Sequence, residues 1–262
     1  MEYSKLEQFY KDDAYCGFGS EIKVERYKEY AEYVKSHVSN KVFEIGSGLG
    51  LAALAIKLAG VEVSATDIFP QNAEKTFLKN NISIEVIELN VNKITLADNV
   101  VDNFCLYQVM EHIESPEIAI AEIYRTLKPG GSFILVGPNL ISPLTSLKSF
   151  VMAITRKWDT PFFSRNDGYE FPFGSTVVEC FFIIFINLYR TFLKLLLKSK
   201  RNIIFRKPCL IKPAISDSDA VILLNPIDMR EMLLKTGFSI LDYQTKRLFG
   251  SFAGSTWIVA RK

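Results

Sequence analysis

Several residue types are scarce in this chain, and each scarcity excludes a class of protein. Four cysteines occur among 262 residues, and no two of them form a C-x-x-C pair. This spacing argues against a zinc site, and we predict no metal ligands. Widely separated cysteines indicate free thiols in a reducing compartment. The four are Cys16, Cys105, Cys180 and Cys209.

The chain also has little net charge and no targeting signal. A net charge of +2 provides no strong global field for nucleic acid. Its basic residues lie among aliphatic side chains, whereas proteins that bind single-stranded DNA or RNA combine a basic groove with aromatic side chains that stack on the bases. We therefore predict no nucleic-acid partner. The polar residues 1–5 are unlike a signal peptide, which favours a cytoplasmic protein. With 48% hydrophobic residues, the chain can bury a sizeable core.

An apolar stretch that breaks into alternate glycines is the strongest local signal. Residues 42–50 are typical of a strand followed by a turn, and residues 51–59 are mostly good helix formers. The turn contains Gly46, Gly48 and Gly50, and glycine lets the backbone take positive φ and approach a ligand closely. The helix amino terminus adds unpaired N–H groups and partial positive charge. We therefore predict a βα unit that binds a ligand at its turn.

An acidic residue ends the next predicted strand. Asp67 follows the apolar stretch 61–66, and an acid in this place commonly binds the two hydroxyls of an adenosine ribose. The dinucleotide pattern G-x-G-x-x-G/A requires a small residue at position 51, where Leu51 stands. The chain also lacks a recognisable Tyr-x-x-x-Lys pair at the expected cleft. Both features disfavour a dinucleotide oxidoreductase.

The pattern that is present, Glu-x-Gly-x-Gly-x-Gly from residue 44, resembles the class I S-adenosylmethionine-dependent methyltransferases, and more closely their small-molecule, type 11 branch. The resemblance continues at 96–104, 108–113 and 125–131, in the family's order and spacing. It implies S-adenosylmethionine as cofactor, bound by residues on the glycine loop and at the strand ends. These are Glu44, Gly46, Ser47, Gly48, Gly50, Asp67, Ile68, Asn90, Val91 and Gln108.

One residue of this set departs from the family pattern. The family often has an acid near position 90, where it binds the adenine amino group. Asn90 stands here, and its side-chain carbonyl can accept the same hydrogen bond.

The order of predicted elements indicates the fold class. Alternating strands and helices from residue 41 onward imply parallel pairing. We expect an α/β, Rossmann-like sheet of seven mostly parallel strands with helices on both faces, plus a mainly helical insertion before the last two strands. The expected regions are an amino-terminal helical cap at 1–40, a cofactor-binding core at 41–139, the insertion at 140–224, and a closing helix and strands at 225–262.

The aromatic, glycine-broken segment 10–19 has two interpretations. The resemblance implies a lid over the cofactor, with Tyr15 or Phe18 touching ligand. The alternative is a segment that packs on the core, which is the commoner role of aromatic clusters.

The insertion contains an apolar run followed by basic residues at helical spacing. Arg190, Lys194 and Lys198 repeat every four residues and therefore share one helix face. They interrupt the run too early for a membrane span. Two interpretations stay open: a basic amphipathic helix that contacts an anionic membrane through 181–207, or a helix that packs on the core or on the partner subunit of a homodimer.

His112 is the candidate catalytic base. Methyl transfer depends mainly on aligning the acceptor with the methyl group, but a hydroxyl acceptor also needs a base. His112 is the histidine nearest the expected cleft, and imidazole titrates in the useful range. The alternative is a structural role in its loop. Asn139, Asp167 and Tyr169 are further candidates for contacting the acceptor.

Two functions stay open from the sequence. The first is an S-adenosylmethionine-dependent methyltransferase that O-methylates a glycan, glycolipid or other lipid-linked small acceptor, in the cytoplasm or at the inner face of the membrane. The second is a catalytically silent protein of the same fold that serves as a membrane-associated interaction module. The intact glycine loop and Asp67 favour the first, since a silent protein needs neither.

Overall fold

The computed structural model describes residues 8–10, 23–142, 176–197, 203–205, 208, 219–246 and 254–262. Its strands are β1 (Val42–Ile45), β2 (Val63–Asp67), β3 (Glu85–Glu88), β4 (Val101–Tyr107), β5 (Leu127–Pro138), β6 (Ser239–Lys246) and β7 (Ser255–Arg261). They form a seven-stranded sheet in the order β3-β2-β1-β4-β5-β7-β6. The first five strands pair in parallel, and β7 runs antiparallel to β5 and β6. The predicted fold class is confirmed.

Helices cover both faces of the sheet, as predicted. They are α1 (Lys28–His37), α2 (Leu51–Leu58), α3 (Gln71–Lys79), α4 (Pro116–Thr126), α5 (Thr176–Leu197) and α6 (Pro226–Thr236), with 3-10 turns at Val24–Tyr27 and Met110–His112. Helices α1, α2 and α3 share one hydrophobic core, while α4 and α6 share another. Side chains from alternate positions of the strands enter the two cores. For example, Phe133 of β5 lies in the second and Ile134 in the first.

Helix α6 forms where its local signals predict it. The Asn225 side chain accepts hydrogen bonds from the N–H groups of Ile227 and Asp228 at 3.1 and 3.0 Å. Pro226 occupies the first turn, and Gly237 ends the helix at a φ of 109°. This helix closes the core over β5, β6 and β7.

Helix α4 follows its signals less closely. Pro116 occupies its first turn, and Ser115, a residue type that favours helix starts, makes no side-chain capping hydrogen bond. The helix ends at Thr126, before the glycines at 130 and 131, because Leu127 already pairs with Val101 as the start of β5. Sheet pairing therefore overrides the local turn signal.

Lys194, one of the basic residues of α5, faces inward. Lys194 is fully buried, and its Nζ lies 2.6 Å from Oδ1 of Asp228. Near it, the Thr191 hydroxyl donates to the carbonyl of Ile141 at 2.7 Å. The prediction of a membrane-facing basic surface is therefore wrong at Lys194. Burying the ammonium is possible because a buried carboxylate is its direct partner.

The outer side of α5 is apolar. Aromatic and aliphatic side chains are exposed there: Phe185, Leu188, Tyr189, Phe192, Leu195 and Leu196. No helix in the described ranges is long and apolar enough to cross a membrane. At Lys194 the structure agrees with the alternative interpretation, a helix that packs on the core.

The two ends of the insertion lie side by side. The Leu140 N–H donates to the Leu224 carbonyl at 2.8 Å, and Leu140 packs with Ala220 and Leu223. Of the predicted residues, Tyr15, Phe18, Asp167, Tyr169 and Lys198 lie outside the described residues, so the lid over the cofactor stays a prediction.

Candidate functional site

A cavity of about 160 Å³ lies at the carboxyl ends of β1, β2, β3 and β4. Such ends are where open α/β sheets bind ligands. Eight of the predicted site residues line it: Gly46, Gly48, Asp67, Ile68, Asn90, Val91, Gln108 and His112. The structure thus brings together residues from four separate loops.

The glycine loop forms one wall of the cavity. Gly46 has a φ of 68° and Gly48 a φ of 51°, conformations that favour glycine. A Cβ on Gly46 would lie 2.6 Å from Cγ2 of Val109, another residue of the cavity wall. The sequence suggested that glycine leaves room for a ligand, and the structure adds that Gly46 also leaves room for the loop after β4. That loop itself turns at Gln108, whose φ is 57°.

Asp67 joins the glycine loop to the end of β2. Its Oδ2 accepts the Gly48 N–H at 2.8 Å, and its Oδ1 accepts the Phe69 N–H at 2.9 Å. Burial raises the pKa of Asp67, and the N–H groups of Phe69, Gly48 and Ile68 partly oppose that shift. Each carboxylate oxygen has a second lone pair, so Asp67 can also accept from the hydroxyls of a ribose in the cavity.

Glu44 was predicted to contact the cofactor, but it lies behind the loop and does not line the cavity. Its side chain accepts a hydrogen bond from the Ala53 N–H in the first turn of α2. Burial raises the pKa of Glu44 to about 8, the Asp67 charge adds to this shift, and the Ala53 N–H opposes it. Glu44 therefore supports the helix amino terminus that carries the loop.

Ser47 and Gly50 likewise do not line the cavity. The Ser47 N–H donates to the Thr66 carbonyl at 3.0 Å, which fixes the loop to β2. Gly50 is the N-cap of α2 at a φ of 74°, and a Cβ there would lie 2.7 Å from the Phe77 ring. Both residues shape the loop, and their predicted contacts with the cofactor stay predictions.

The loop after β3 offers two amides to the cavity. Oδ1 of Asn90 accepts the Asn92 N–H at 2.9 Å, so one lone pair of the predicted adenine acceptor is already used. Asn92 also lines the cavity, and its buried Oδ1 has no hydrogen-bond partner among the described residues. Sequence reasoning missed Asn92, although its position two residues after Asn90 in a polar loop was an available signal.

His112 lies in the 3-10 turn after β4, with carboxylates near both ring nitrogens. Its Nδ1 is 3.4 Å from Oδ2 of Asp219, and its Nε2 is 3.8 Å from Oε1 of Glu111. The Tyr10 hydroxyl donates to the same Asp219 oxygen at 2.8 Å. No group that orients this ring was predicted from the sequence. Asp219 and Tyr10 were missed because both approach His112 from distant parts of the chain.

The rest of the cavity wall is mainly apolar. It consists of Tyr10, Ile45, Leu89, Val109, Ile113 and the exposed carboxylate of Glu114. Among the described lining residues there is no lysine or arginine. Asn139, a candidate for contacting the acceptor, is buried outside this lining. No group of three or more His, Cys, Asp or Glu side chains in the described part of the chain is placed to hold a metal ion.

This lining fits S-adenosylmethionine. The cofactor carries a positively charged sulfur, a ribose and an adenine. The wall supplies acidic groups without nearby cations, a strand-end carboxylate in Asp67 and amide acceptors in Asn90 and Asn92. The fit rests on charge, on hydrogen-bond capacity and on the close approach allowed by the glycine loop.

Comparison with known proteins identifies similar domains. Residues 43–135 match the family described as "Methyltransferase domain". The chain is 24% identical over 168 residues to the ubiquinone biosynthesis O-methyltransferase of Rickettsia felis, covering 59% of this chain and 66% of that protein. It is 31% identical over 106 residues to the S-adenosyl-L-methionine-dependent Diels-Alderase iccD of Talaromyces variabilis, covering 37% and 36%.

A solved structure extends the similarity to the whole fold. An S-adenosyl-L-methionine-dependent methyltransferase of Methanococcus maripaludis superimposes with a TM-score of 0.52 and 17% identity, covering 100% of this chain and 96% of that one. At this identity the likeness concerns the fold. The chain spans between half and two thirds of the length of the ubiquinone biosynthesis O-methyltransferases that it matches in Rickettsia species.

Proposed function

We propose that this chain, in which residues 43–135 match a methyltransferase domain, is an S-adenosylmethionine-dependent methyltransferase that methylates a hydroxyl of a small lipid-linked acceptor. A glycolipid and a lipid-linked glycan are the acceptor types that we consider first. The observation that carries the proposal is one cavity that holds the glycine loop, the ribose-type acid Asp67 and the candidate base His112.

The cofactor half of this cavity is assigned to five residues. When bound, S-adenosylmethionine supplies a methyl group to the acceptor, and the electron pair of the broken carbon–sulfur bond stays on sulfur. We assign Asp67 to the ribose hydroxyls, and Asn90 with Asn92 to the adenine. Gly46 and Gly48 allow the backbone to lie against the ligand.

The acceptor half favours an uncharged hydroxyl. No lysine or arginine occurs among the described lining residues to pair with a carboxylate or phosphate, and Glu114 would repel either group. A hydroxyl needs a base, and His112 faces the cavity. The name of the Rickettsia felis relative includes O-methyltransferase, which supports oxygen as the methylated atom.

Two apolar features support a lipid-linked acceptor. Val109 and Ile113 give the wall around His112 an apolar character. On the outside, α5 exposes Phe192 and Leu196 at 60% and 62%. Because Lys194 is buried against Asp228, we propose that membrane contact depends on burial of these apolar side chains and not on a basic face.

Calorimetry with S-adenosylmethionine tests the cofactor assignment. We expect Asp67→Asn to weaken binding at least about tenfold, because a neutral amide holds ribose hydroxyls less strongly than a carboxylate. Asp98→Asn is the matched control, since Asp98 is exposed and pairs with Arg125 outside the cavity. Equal affinity in both variants would contradict the assignment of Asp67.

A turnover assay then separates the enzyme from the interaction module. One relative is named a Diels-Alderase that depends on the same cofactor, so cofactor binding alone does not establish methyl transfer. We expect S-adenosylhomocysteine to form when a neutral lipid or glycolipid extract is added, with one product heavier by a single methylene. Cofactor binding without such a product from any extract fraction would favour the catalytically silent module.

Vesicle flotation tests the membrane contact. We expect the wild type to float with vesicles, and the double change Phe192→Ser with Leu196→Ser to reduce the bound fraction more than about tenfold, given about 1.5–3 kcal/mol for each buried side chain. Leu78→Ser is the control, because Leu78 is 78% exposed on α3. If the wild type does not float, a soluble acceptor or a homodimer through α5 becomes the better proposal, and sedimentation would detect the dimer.

A further inference from the structure

We propose that Asp219 and Tyr10 position His112, with Asp219 setting which ring nitrogen carries the proton and Tyr10 holding the Asp219 carboxylate. Their catalytic meaning rests on the proposed function, in which His112 is the base. The arrangement itself stands on contacts between three distant parts of the chain.

The three side chains form a chain of polar contacts at the cavity wall. The Tyr10 hydroxyl donates to Oδ2 of Asp219 at 2.8 Å, and the same oxygen lies 3.4 Å from Nδ1 of His112. The rings of Tyr10 and His112 meet edge to face, with centroids 6.4 Å apart. Tyr10 and His112 both line the cavity, whereas Asp219 is 1% exposed behind them. The carboxylate is therefore reserved for its two protein partners.

Backbone hydrogen bonds place Asp219 beside the histidine. The N–H groups of Val221 and Ile222 both donate to the Glu111 carbonyl, at 2.8 and 3.2 Å. These bonds join the segment that follows Asp219 to the 3-10 turn that contains His112. Because both partners are fixed to each other through the backbone, the approach of the carboxylate to the ring depends little on side-chain freedom.

This geometry favours one tautomer of a neutral imidazole. Oδ2 of Asp219 lies at ion-pair distance from Nδ1 without forming a hydrogen bond to it, and its negative charge stabilises the ring form that carries its proton on Nδ1. In this form Nε2 carries the lone pair that accepts the proton of an acceptor hydroxyl. The imidazolium formed in this step is stabilised by the Asp219 carboxylate, as in other carboxylate–histidine pairs.

Two other carboxylates lie near the ring. Glu111 is fully buried, and its Oε1 lies 3.8 Å from Nε2. Glu114 lies farther along the same cavity wall. Both carboxylates favour the charged imidazolium, but the 3.4 Å contact of Asp219 with Nδ1 is shorter than the Glu111 contact with Nε2. The choice of tautomer is therefore assigned to Asp219.

Nuclear magnetic resonance can test this proposal without an acceptor. The chain has two histidines, His37 and His112, so protein labelled with ¹⁵N-histidine gives two imidazole spin systems. In the wild type we expect His112 in the Nδ1–H form. In Asp219→Asn we expect its titration midpoint to fall by about one pH unit, because an opposite charge at this distance favours the protonated form. Tyr10→Phe should shift it in the same direction by less.

A second tyrosine–aspartate pair provides the matched control. The Tyr33 hydroxyl donates to Oδ2 of Asp242 at 2.7 Å, and the Tyr33 ring contacts His37 with centroids 4.5 Å apart. Asp242→Asn should leave the midpoint of His112 unchanged, and Asp219→Asn should leave that of His37 unchanged.

Two results would overturn the inference: a wild-type His112 in the Nε2–H form, or an Asp219→Asn variant in which the midpoint of His112 moves no further than that of His37. Calorimetry with S-adenosylmethionine on the same samples separates this failure from failure of the proposed function. Normal cofactor affinity with an unresponsive His112 rejects only the positioning role. A wild type that does not bind the cofactor rejects the proposed function.

Discussion

The loop between β1 and α2 and the surface of α5 are both strongly patterned in the sequence, yet their patterns differ in what they predict. In the loop, strand, glycines and helix follow one another within a few residues, so neighbours in sequence are neighbours in the site. On α5, the pattern defines two faces and leaves open which one is buried. Lys194 is on the buried face because its ammonium pairs with Asp228, which lies 34 positions away in the sequence.

The difference shows that function can be predicted locally where a ligand binds the backbone, and less well where side chains meet across the fold. Gly46 and Gly48 are required by backbone conformation, which neighbouring residues determine. Lys194 is buried because an acid is present at the docking surface, and that surface exists only in the folded protein. The following predictions test this contrast.

Removing the buried ammonium should have the largest effect. We expect Lys194→Ala to lower the free energy of unfolding by about 3–5 kcal/mol, because Asp228 is left as a buried charge without its cation. Lys57→Ala, at an exposed position of α2, is the control and should change it by less than about 0.5 kcal/mol. Denaturant unfolding measures both. Equal stabilities would mean that Lys194 faces outward, as the membrane-contact interpretation of the sequence requires.

The glycine loop should be nearly as sensitive. We expect Gly46→Ala to lower the free energy of unfolding by about 2–3 kcal/mol, since its Cβ meets Val109 and its φ is positive. Gly60→Ala has a φ of 91° but no atom within 4 Å of the new Cβ, so it isolates the backbone cost of about 1 kcal/mol. Calorimetry should also show at least tenfold weaker cofactor binding for Gly46→Ala alone. Equal cofactor affinities of Gly46→Ala and Gly60→Ala would show that Gly46 does not contact the ligand.

The pH dependence of stability should reveal the buried Glu44. Its pKa in the folded protein is about 8, above the ordinary glutamate value of 4.5, so the folded state holds the proton more tightly. The stabilisation is complete below about pH 4.5 and is lost as pH rises through about 8. We expect roughly 1–2 kcal/mol to be lost between pH 6 and 8.

Glu44→Gln is the matched variant for this titration, because it keeps the shape and the capacity to accept the Ala53 N–H. Unfolding curves at pH 5, 6, 7 and 8 should fall less steeply for Glu44→Gln than for the wild type. Parallel pH profiles would show that another group causes the dependence.

The smallest predicted effect concerns the first residues of α4 and α6, which in both helices are a polar residue followed by proline. Asn225→Ala should lower the free energy of unfolding by about 1 kcal/mol, because two N–H groups lose their acceptor. Ser115→Ala should cost only a few tenths of a kcal/mol, because Ser115 makes no capping hydrogen bond. Thermal unfolding at one protein concentration compares them. A larger loss for Ser115→Ala would show that the sequence signal was the better guide.

The sequence predicted more of the fold than of the site. The seven strands, the helices on both faces and the start of α6 at Asn225 follow from periodicity, glycine and capping signals. Glu44, Ser47 and Gly50 were placed at the ligand because they share the glycine pattern; they do not line the cavity, and their contacts with the cofactor stay predictions. Asn92 was missed because Asn90 already offered a carbonyl acceptor where the family often has an acid.

By itself, the sequence determined the βα unit, the acid at the end of β2 and the alternation of strands and helices, because these depend on interactions between residues close along the chain. The tertiary structure decided that Lys194 is buried and that Asp219 and Tyr10 meet His112. The physical reason is that burial and charge pairing are properties of surfaces that form only when distant segments pack together. Tyr10 and Asp219 are 209 positions apart and come within 2.8 Å, and no local pattern encodes that contact.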